Sequence, residues 1–305
     1  MRAFVIIATK GRAPEVLTLM NFLQRQTLPA TFTVIVGTEE ADIAGVNSHP
    51  YIKDGHGVAL ISPRAGLTSQ RNYGLEVLEQ RGFFTDGKEE FFCAFFDDDF
   101  RMAEDWLEQA RKRFAANDIV GLTGMVLGDG VNKGGLTEDF AESLLKGDIP
   151  REEHHFAAGT QEHGIGSVYG CNMAFVDTVI RNLQFDENVP FHGWQEDRDY
   201  TGGAKKFGRV IYFPGCRGVH LGTQSGVRTL GEKFGYSQIA NPIYFMKKGT
   251  MDTKSTVRFV SRALASNIVH SLFRQEQIDY RGRLRGNILA VIDLLSMTDK
   301  RKPAS

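Results

Sequence analysis

The chain has 305 residues, 42% hydrophobic and 24% charged, with a formal net charge of −1. Without a basic excess it is not a general nucleic-acid binder, which must neutralise phosphates, and Cys93, Cys171 and Cys216 lack zinc-site or disulfide-framework spacing. No apolar run approaches the roughly 20 residues of a membrane span, and the apolar stretch in MRAFVIIATKGR is too brief for a secretory signal, so a cytoplasmic protein with free thiols is expected.

Phe4 to Ala8 is a continuous apolar run, as a strand buried on both faces requires. Val16, Leu17, Leu19, Met20 and Leu23 then recur at helical spacing, with Pro14 near the helix start, where a missing N–H costs little. Phe32 to Val36 reads as a second strand and Val58 to Ile61 as a third, followed by a helix from about Ser69 to Glu79. A fourth strand, Phe91 to Phe96, runs into three aspartates, and Trp106 to Phe114 is helical. This alternation predicts an α/β fold with parallel strands and crossover helices. Ligands of such sheets bind beyond the carboxyl ends of the strands. That places the informative residues at Thr9 to Arg12, Gly37 to Asp42, Pro63 to Asn72 and Asp97 to Asp99. From Gly121 to Gly166 the Gly-rich chain reads as loops with one short helix near Glu138 to Leu145. Beyond about Met251, Val257, Val260, Leu264, Ile268 and Leu272 fall at helical spacing, and a second apolar run covers Ile288 to Leu295.

Three segments carry chemistry. In Phe95-Phe96-Asp97-Asp98-Asp99-Phe100, adjacent carboxylates at a strand end raise one another's pKa unless something positive neutralises them. Mg2+ or Mn2+ does this with oxygen ligands. In an extended segment residues i and i+2 point the same way, which lets Asp97 and Asp99 share one site; the plainer alternative is a solvated acidic turn that caps the next helix, with Glu104 and Asp105. In Gly193-Trp194-Gln195-Glu196-Asp197-Arg198-Asp199, a carboxylate beside an indole has the setting of a general base. Equally, Glu196 and Asp197 fit as first-turn acids favoured by a helix dipole. His220 ends the segment Phe213 to His220 and matters only if the fold brings it to the aspartates. The other histidines, including His154-His155, show no metal-site spacing.

Taken together and in order, these segments resemble a family 2 glycosyltransferase of the non-processive bacterial type. The matching pieces are Gln24-Arg25-Gln26-Thr27, Gly66 to Leu75 (GLTSQRNYGL), Phe95 to Phe100 (FFDDDF) with Asp105-Trp106-Leu107, Gly170 to Phe175 (GCNMAF), Phe185-Asp186-Glu187, Trp194 to Asp199 (WQEDRD), Val219-His220-Leu221-Gly222, and Asn241 to Phe245 with Lys247-Lys248-Gly249. They cover about residues 3–250. The resemblance implies a GT-A fold, Rossmann-like, with a mixed, mostly parallel sheet flanked by helices. It divides residues 1–250 into a nucleotide-sugar half (about 1–120) and an acceptor half (about 121–250). It also implies a divalent metal, Mn2+ or Mg2+, held by Asp97 and Asp99 with His220 as a further ligand. Thr9, Lys10, Arg12 and Asp98 are expected near the nucleotide, with Arg71 or Asn72 on its ribose or base side. Such proteins commonly carry an acid directly after the second strand to read the base. Here Gly37-Thr38 follows Val36, and the first acids are Glu39, Glu40 and Asp42, so Glu39 is the expected contact. Asp197 is the implied general base, with Glu196 the alternative, in a single inverting displacement.

The expected partners are a nucleotide-sugar donor, UDP-linked first, and a saccharide or lipid-linked saccharide acceptor in surface polysaccharide assembly. The Gln/Arg-x-x-Arg-Trp segment of processive synthases is missing. Two other functions compete: a nucleotidyltransferase or sugar-nucleotide pyrophosphorylase, and a non-catalytic nucleotide-sugar-binding protein. The first wants a clearer phosphate loop than Thr9-Lys10-Gly11-Arg12, and the second sits poorly with intact Asp97, Asp99 and Asp197. Residues 251–305 form a basic helical extension with Lys254, Arg258, Arg262, Arg274, Arg281, Arg283, Arg285, Lys300, Arg301 and Lys302 against Asp252, Glu276, Asp279, Asp293 and Asp299. Two readings of it stand: packing against the domain, or docking peripherally on the inner face of the cytoplasmic membrane.

Overall fold

In the computed structural model the chain divides into two compact units, Met1–Gln184 with Ala204–Gln224, and Phe185–Gly203 with Ser225–Ser305. The structure describes residues 1–84, 90–131, 133–153, 156–189, 193–223, 231–273 and 278–295. His154-His155, Arg274, Glu276, Asp299, Lys300, Arg301 and Lys302 lie outside them.

The first unit opens with β1 (Arg2–Ala8), α1 (Ala13–Gln24), β2 (Phe32–Gly37), the single-turn α2 (Pro50–Lys53), β3 (Gly57–Ile61), α3 (Leu67–Gln80) and β4 (Phe91–Asp97). The apolar runs of β1, β2 and β4 are buried along almost their whole length, as strands covered on both faces must be. Helix α1 carries Pro14 in its first turn, and Val16, Leu19, Met20 and Leu23 form its buried stripe. Next come β5 (Phe100–Met102), α4 (Trp106–Phe114), β6 (Gly121–Asp129), α5 (Glu138–Lys146), β7 (His163–Gly164), β8 (Asn172–Val176) and α6 (Asp177–Asn182). The chain re-enters the unit for β9 (Val210–His220).

These strands make one nine-stranded sheet in the order β3-β2-β1-β4-β8-β6-β9-β5, with β7 beside β9. The β3-β2-β1-β4 half is parallel, as the strand–helix alternation predicts. Beyond it, β8 runs antiparallel to both β4 and β6, while β9 is parallel to β6 and antiparallel to β5. In the β1–β4 register Ala8 faces Asp97. The loop that starts at Thr9 therefore leaves the sheet beside the aspartates, at the carboxyl edge where ligands of such sheets bind.

One expectation needs correction. Gly121–Asp129 is not loop: it is a core strand, with every residue but the last buried. Glycines at 121, 124 and 128 hid its apolar pattern, and they are there because neighbours come close. A Cβ on Gly124 would lie 2.1 Å from the Cys216 carbonyl oxygen, beside a shift in the β6–β9 register. Gly124→Ala is therefore expected to destabilise the unit by about 3 kcal/mol or more, since backbone must move to admit the methyl. The check is the denaturant midpoint at unchanged slope. Likewise the segment ending at His220 is an eleven-residue strand, longer than its short apolar run suggests. The helix expected near Glu138 is α5, capped by the Thr137 hydroxyl, which accepts from the Phe140 N–H, and closed by Gly147 with φ +79°.

The second unit is helical. Its elements are α7 (Glu196–Ala204, the last residue counting with the first unit), α8 (Gly231–Lys248), α9 (Thr253–Ser271) and α10 (Tyr280–Leu295). Helices α8 and α10 cross through glycine. A Cβ on Gly235 would lie 2.0 Å from the Arg283 carbonyl, and one on Gly286 would lie 1.9 Å from that of Glu232. Asn267 on α9 donates to both Gln238 Oε1 and Asn287 Oδ1 at 2.8 Å, and Asn287 donates to the Gly235 carbonyl at 2.6 Å. Small and polar residues thus form the inner faces of these helices. Of the Val257-Val260-Leu264-Ile268-Leu272 stripe, Val260 and Leu264 join the small core around Ile239 and Ala290, while Val257, Ile268 and Leu272 are exposed.

Candidate active site

The three aspartates do not form an extended run. Strand β4 ends at Asp97, Asp98 and Asp99 make a tight turn, and β5 starts at Phe100. Nor is the turn solvated, because Asp98 and Asp99 are 0% and 2% exposed. The turn, rather than strand period, brings the carboxylates of Asp97 and Asp99 together. One ligating atom each from Asp97, Asp99 and His220 lie within 4.8 Å of one another.

Each carboxylate has a distinct job. Arg12 grips Asp98 with Nη2 at 2.9 Å from Oδ1 and Nε at 3.1 Å from Oδ2. Its Nη1 also donates to Asp99 Oδ2 at 3.1 Å, and the Thr223 N–H donates to the same oxygen at 2.9 Å. The other oxygen of Asp99, Oδ1, is buried without a hydrogen bond, with His220 Nε2 3.4 Å away. Asp97 is only partly buried and takes a 3.3 Å contact from the buried Arg71, which also donates to the Gly170 carbonyl at 3.0 Å. Burial pushes the Asp98 carboxyl up to about 7 against the pull of Arg12. Burial acts the same way on Asp99, but His220, Arg12 and the Thr223 amide outweigh it and hold that group near 2.

His220 sits where β5, β6 and β9 meet, paired in register with both Phe100 and Asp129. Its Nδ1 lies 3.2 Å from Asp129 Oδ1 and 3.2 Å from the Tyr169 hydroxyl, which itself donates to Asp129 Oδ2 at 2.8 Å. Burial would depress the imidazole, but the facing carboxylates of Asp129 and Asp99 dominate and raise it to about 10. A proton on His220 thus adds to the positive charge that Arg12 and Arg71 set against the aspartates. With Nδ1 turned to a carboxylate, Nε2 faces the aspartates, the arrangement by which a carboxylate orients a metal-binding histidine. The donor set, two carboxylates and one imidazole with an orphaned buried oxygen among them, fits a divalent cation of the Mn2+ or Mg2+ type. Such a cation would displace the imidazole proton on binding.

Around this centre Thr9 is buried, while Lys10 and Glu39 are exposed. Gln70 spans the strand ends, donating to the Thr9 carbonyl at 2.8 Å and the Val36 carbonyl at 2.7 Å. Asn72, on the same helix as Arg71, lines a separate cavity of about 460 Å³ with Leu75, Glu76 and Arg181. Asp42 accepts from the amides of Gly11 (2.6 Å), Thr38 (2.7 Å) and Glu39 (3.1 Å) and from the Thr38 hydroxyl (2.7 Å). It therefore ties the loop after β1 to the loop after β2. Burial raises its carboxyl, but these donors prevail and lower it. A group lowered on folding adds stability above the unfolded aspartate value of about 3.9 and loses it as pH falls through the folded value. Asp42→Asn is expected to cost about 2 kcal/mol at neutral pH. In denaturation curves taken across pH, its gap from wild type should close below about pH 4.

Glu196 and Asp197 belong to the second unit, in the first turn of α7, and both are partly buried. Asp197 Oδ1 accepts from the Arg198 amide at 2.8 Å. The preceding Gln195 holds φ +70°, a costly conformation for a residue with a side chain. Its Oε1 accepts from Arg198 Nε at 2.9 Å, and the Arg198 guanidinium lies 4.7 Å from the Phe259 ring centre. Trp194 packs edge-on against Phe234 and Phe259, and its carbonyl accepts from Asn241 at 3.0 Å. Asp199 is not free for chemistry: Lys248 bridges it to Asp186, 2.7 Å from each, and the Thr250 hydroxyl donates to it.

Asp129 and Tyr169 escaped the sequence reading, and Gln70 entered it only inside the matching segment Gly66 to Leu75, without a role of its own. Asp129 follows from reading β6 as a strand, since it then stands at a strand end like Asp97. Nothing in the local pattern marks Tyr169.

No protein-family model matches the chain, and no curated protein matches it by sequence. Solved structures do match its fold. S. aureus TarS 1–349 in complex with UDP-GlcNAc aligns with TM-score 0.58 and 15% identity, over 99% of this chain and 82% of that one. The mannosyltransferase PcManGT from Pyrobaculum calidifontis, in complex with GDP-Man and Mn2+, aligns with TM-score 0.54 and 15% identity, over 98% and 88%. GalNAc-T7 with UDP, GalNAc and Mn2+ aligns with TM-score 0.53 and 13% identity, over 88% and 57%. At these identities the likeness is one of fold, and the fold is the GT-A-like one.

Proposed function

We propose that this chain is a metal-dependent, inverting glycosyltransferase of the family 2 kind, moving a hexosyl group from a nucleoside-diphosphate donor, UDP-linked first, to a saccharide or lipid-linked saccharide hydroxyl in surface polysaccharide assembly. The observation that carries this reading is the convergence of Asp97, Asp99 and His220 around a buried, unbonded carboxylate oxygen at the carboxyl edge of the sheet. The fold it shares with structures that hold UDP, GDP-Man or Mn2+ supports it.

Residues of about 1–120 form the donor half in this proposal and those of about 121–250 the acceptor half, with 251–305 an extension. Asp97, Asp99 and His220 would hold the cation, and Asp129 would fix the imidazole that ligates it. When bound, the cation supplies positive charge to the departing diphosphate. Arg12 and Asp98 anchor the turn, Thr9 and Lys10 lie along the nucleotide path, and Glu39 and Arg71 border it. Asp197 takes the proton of the acceptor hydroxyl as its oxygen bonds to the anomeric carbon. The bond from that carbon to the diphosphate oxygen breaks on the opposite side, which inverts the centre. Asp197 lies in the first turn of α7, two residues after the left-handed Gln195 at φ +70°.

The direct test is calorimetric titration with UDP, GDP and their sugar conjugates, with and without Mn2+. Metal-dependent binding of one nucleotide is the expected result. Failure of every nucleotide to bind under every metal condition sinks the reading.

A further inference from the structure

Helices α9 and α10 wear most of their large apolar residues on the outside. Among the described residues fourteen large hydrophobic side chains are exposed, and eleven of them lie at or beyond Val257, on or just after α9 and on α10. The most open are Leu272 (75%), Phe273 (63%) and Leu295 (80%), with Ile268, Ile288 and Ile292 about half exposed. The inner faces are small or polar instead: Thr256, Ala263 and Asn267 on α9, and Gly282, Gly286, Asn287 and Ala290 on α10. Helices that bury glycine and asparagine while showing leucine and isoleucine to the outside are organised for an apolar partner, not for water.

Charge says which partner. Lys254, Arg258, Arg262, Arg281 and Arg285 are exposed on the same two helices. The described acids there are turned to other uses: Asp252 and Asp279 accept from the amides of Ser255 and Gly282 as helix caps, and Asp293 accepts from the Tyr236 hydroxyl. Two copies meeting through this face would bring like charges together. An anionic surface with an apolar interior satisfies both the arginines and the apolar side chains. No helix among the described residues is long and apolar enough to cross a membrane.

We infer that α9 and α10 form a docking face that lies in the interface of an anionic lipid bilayer, with Leu272, Ile288 and Ile292 inserted and the arginines at the headgroups. This does not depend on the proposed chemistry of the first unit. It predicts binding set jointly by apolar insertion and by headgroup charge.

The test is co-sedimentation of the full chain with phosphatidylcholine vesicles containing or lacking phosphatidylglycerol. Pelleting should require phosphatidylglycerol and weaken with added salt. Each of Arg258→Gln and Arg262→Gln should lower the partition about fivefold. The combined Leu272→Ser, Ile288→Ser and Ile292→Ser variant should stay in the supernatant while its melting curve keeps the wild-type shape, since these side chains are exposed. Failure to pellet with anionic vesicles at low salt overturns the inference, as does equal pelleting with phosphatidylcholine alone. Retained binding in the serine variant overturns the assignment to this face. A concentration-dependent dimer that the serine variant abolishes, without vesicle binding by wild type, makes the occupant a second copy instead.

Discussion

Replacing Asp99 by asparagine is expected to abolish metal-dependent nucleotide binding and to lower sugar transfer by about a thousandfold. The substitution keeps the shape of the side chain. Its carbonyl oxygen can still accept from Arg12 and the Thr223 amide, as Asp99 Oδ2 does now. That choice turns the amide nitrogen toward His220 and Asp97, and puts N–H donors where the cation needs a lone pair. Calorimetry with Mn2+ and the nucleotide that wild type prefers measures the loss, and a melting curve shows whether the variant is folded. Metal-dependent binding of normal strength in Asp99→Asn would remove Asp99 from the ligand set and the cluster from the mechanism.

The second large effect is of a different kind. Asp197→Asn is expected to lower kcat by about a hundredfold to ten-thousandfold, the usual contribution of a general base. Donor and metal affinity should stay at the wild-type level, because the first unit holds that machinery in this reading. Glu196→Gln is the matched control and should cost far less. If Glu196→Gln shows the larger fall, the roles are exchanged. If neither variant loses more than about tenfold, the base does not lie in the first turn of α7. The two predictions separate by readout: Asp99→Asn fails in binding, Asp197→Asn only in turnover.

Much of the parallel half of the sheet was legible because its signals are local. Apolar runs ending in Thr9, Gly37 and Asp97 announce parallel strands, and a parallel sheet presents its strand ends to ligand. The convergence of Asp97 and Asp99 was expected for the wrong reason, since the turn at Asp98 and Asp99 does what extended period was expected to do. His220 was legible only as a resemblance; its neighbours Asp129 and Tyr169 come from segments 91 and 51 residues away, Asp129 through the pairing of β6 with β9 and Tyr169 through the hydrogen bond from its amide to the Thr123 hydroxyl of β6. The glycines of β6 concealed that strand, because a residue chosen for a close backbone approach carries no hydrophobic signal. In α9 the periodic stripe was read correctly as a stripe, but period alone says nothing of which face turns inward. Asn267 and the glycines of α8 and α10 decide that by packing.

The second unit is assembled from two stretches of chain, and this has a consequence for how the protein is made. Helix α7 leaves the ribosome well before the residues that hold its surroundings. Trp194 waits 47 residues for Asn241, Asp199 waits 49 for Lys248, and Asp186 waits 62 for Lys248. At about 5–20 residues per second, the segment bearing Asp197 spends seconds without its partners while the strands of the first unit up to β9 are already available. A chain released near residue 225 would then carry the aspartate cluster and lack a settled Asp197, so under the proposed function competence to bind donor would precede competence to transfer it.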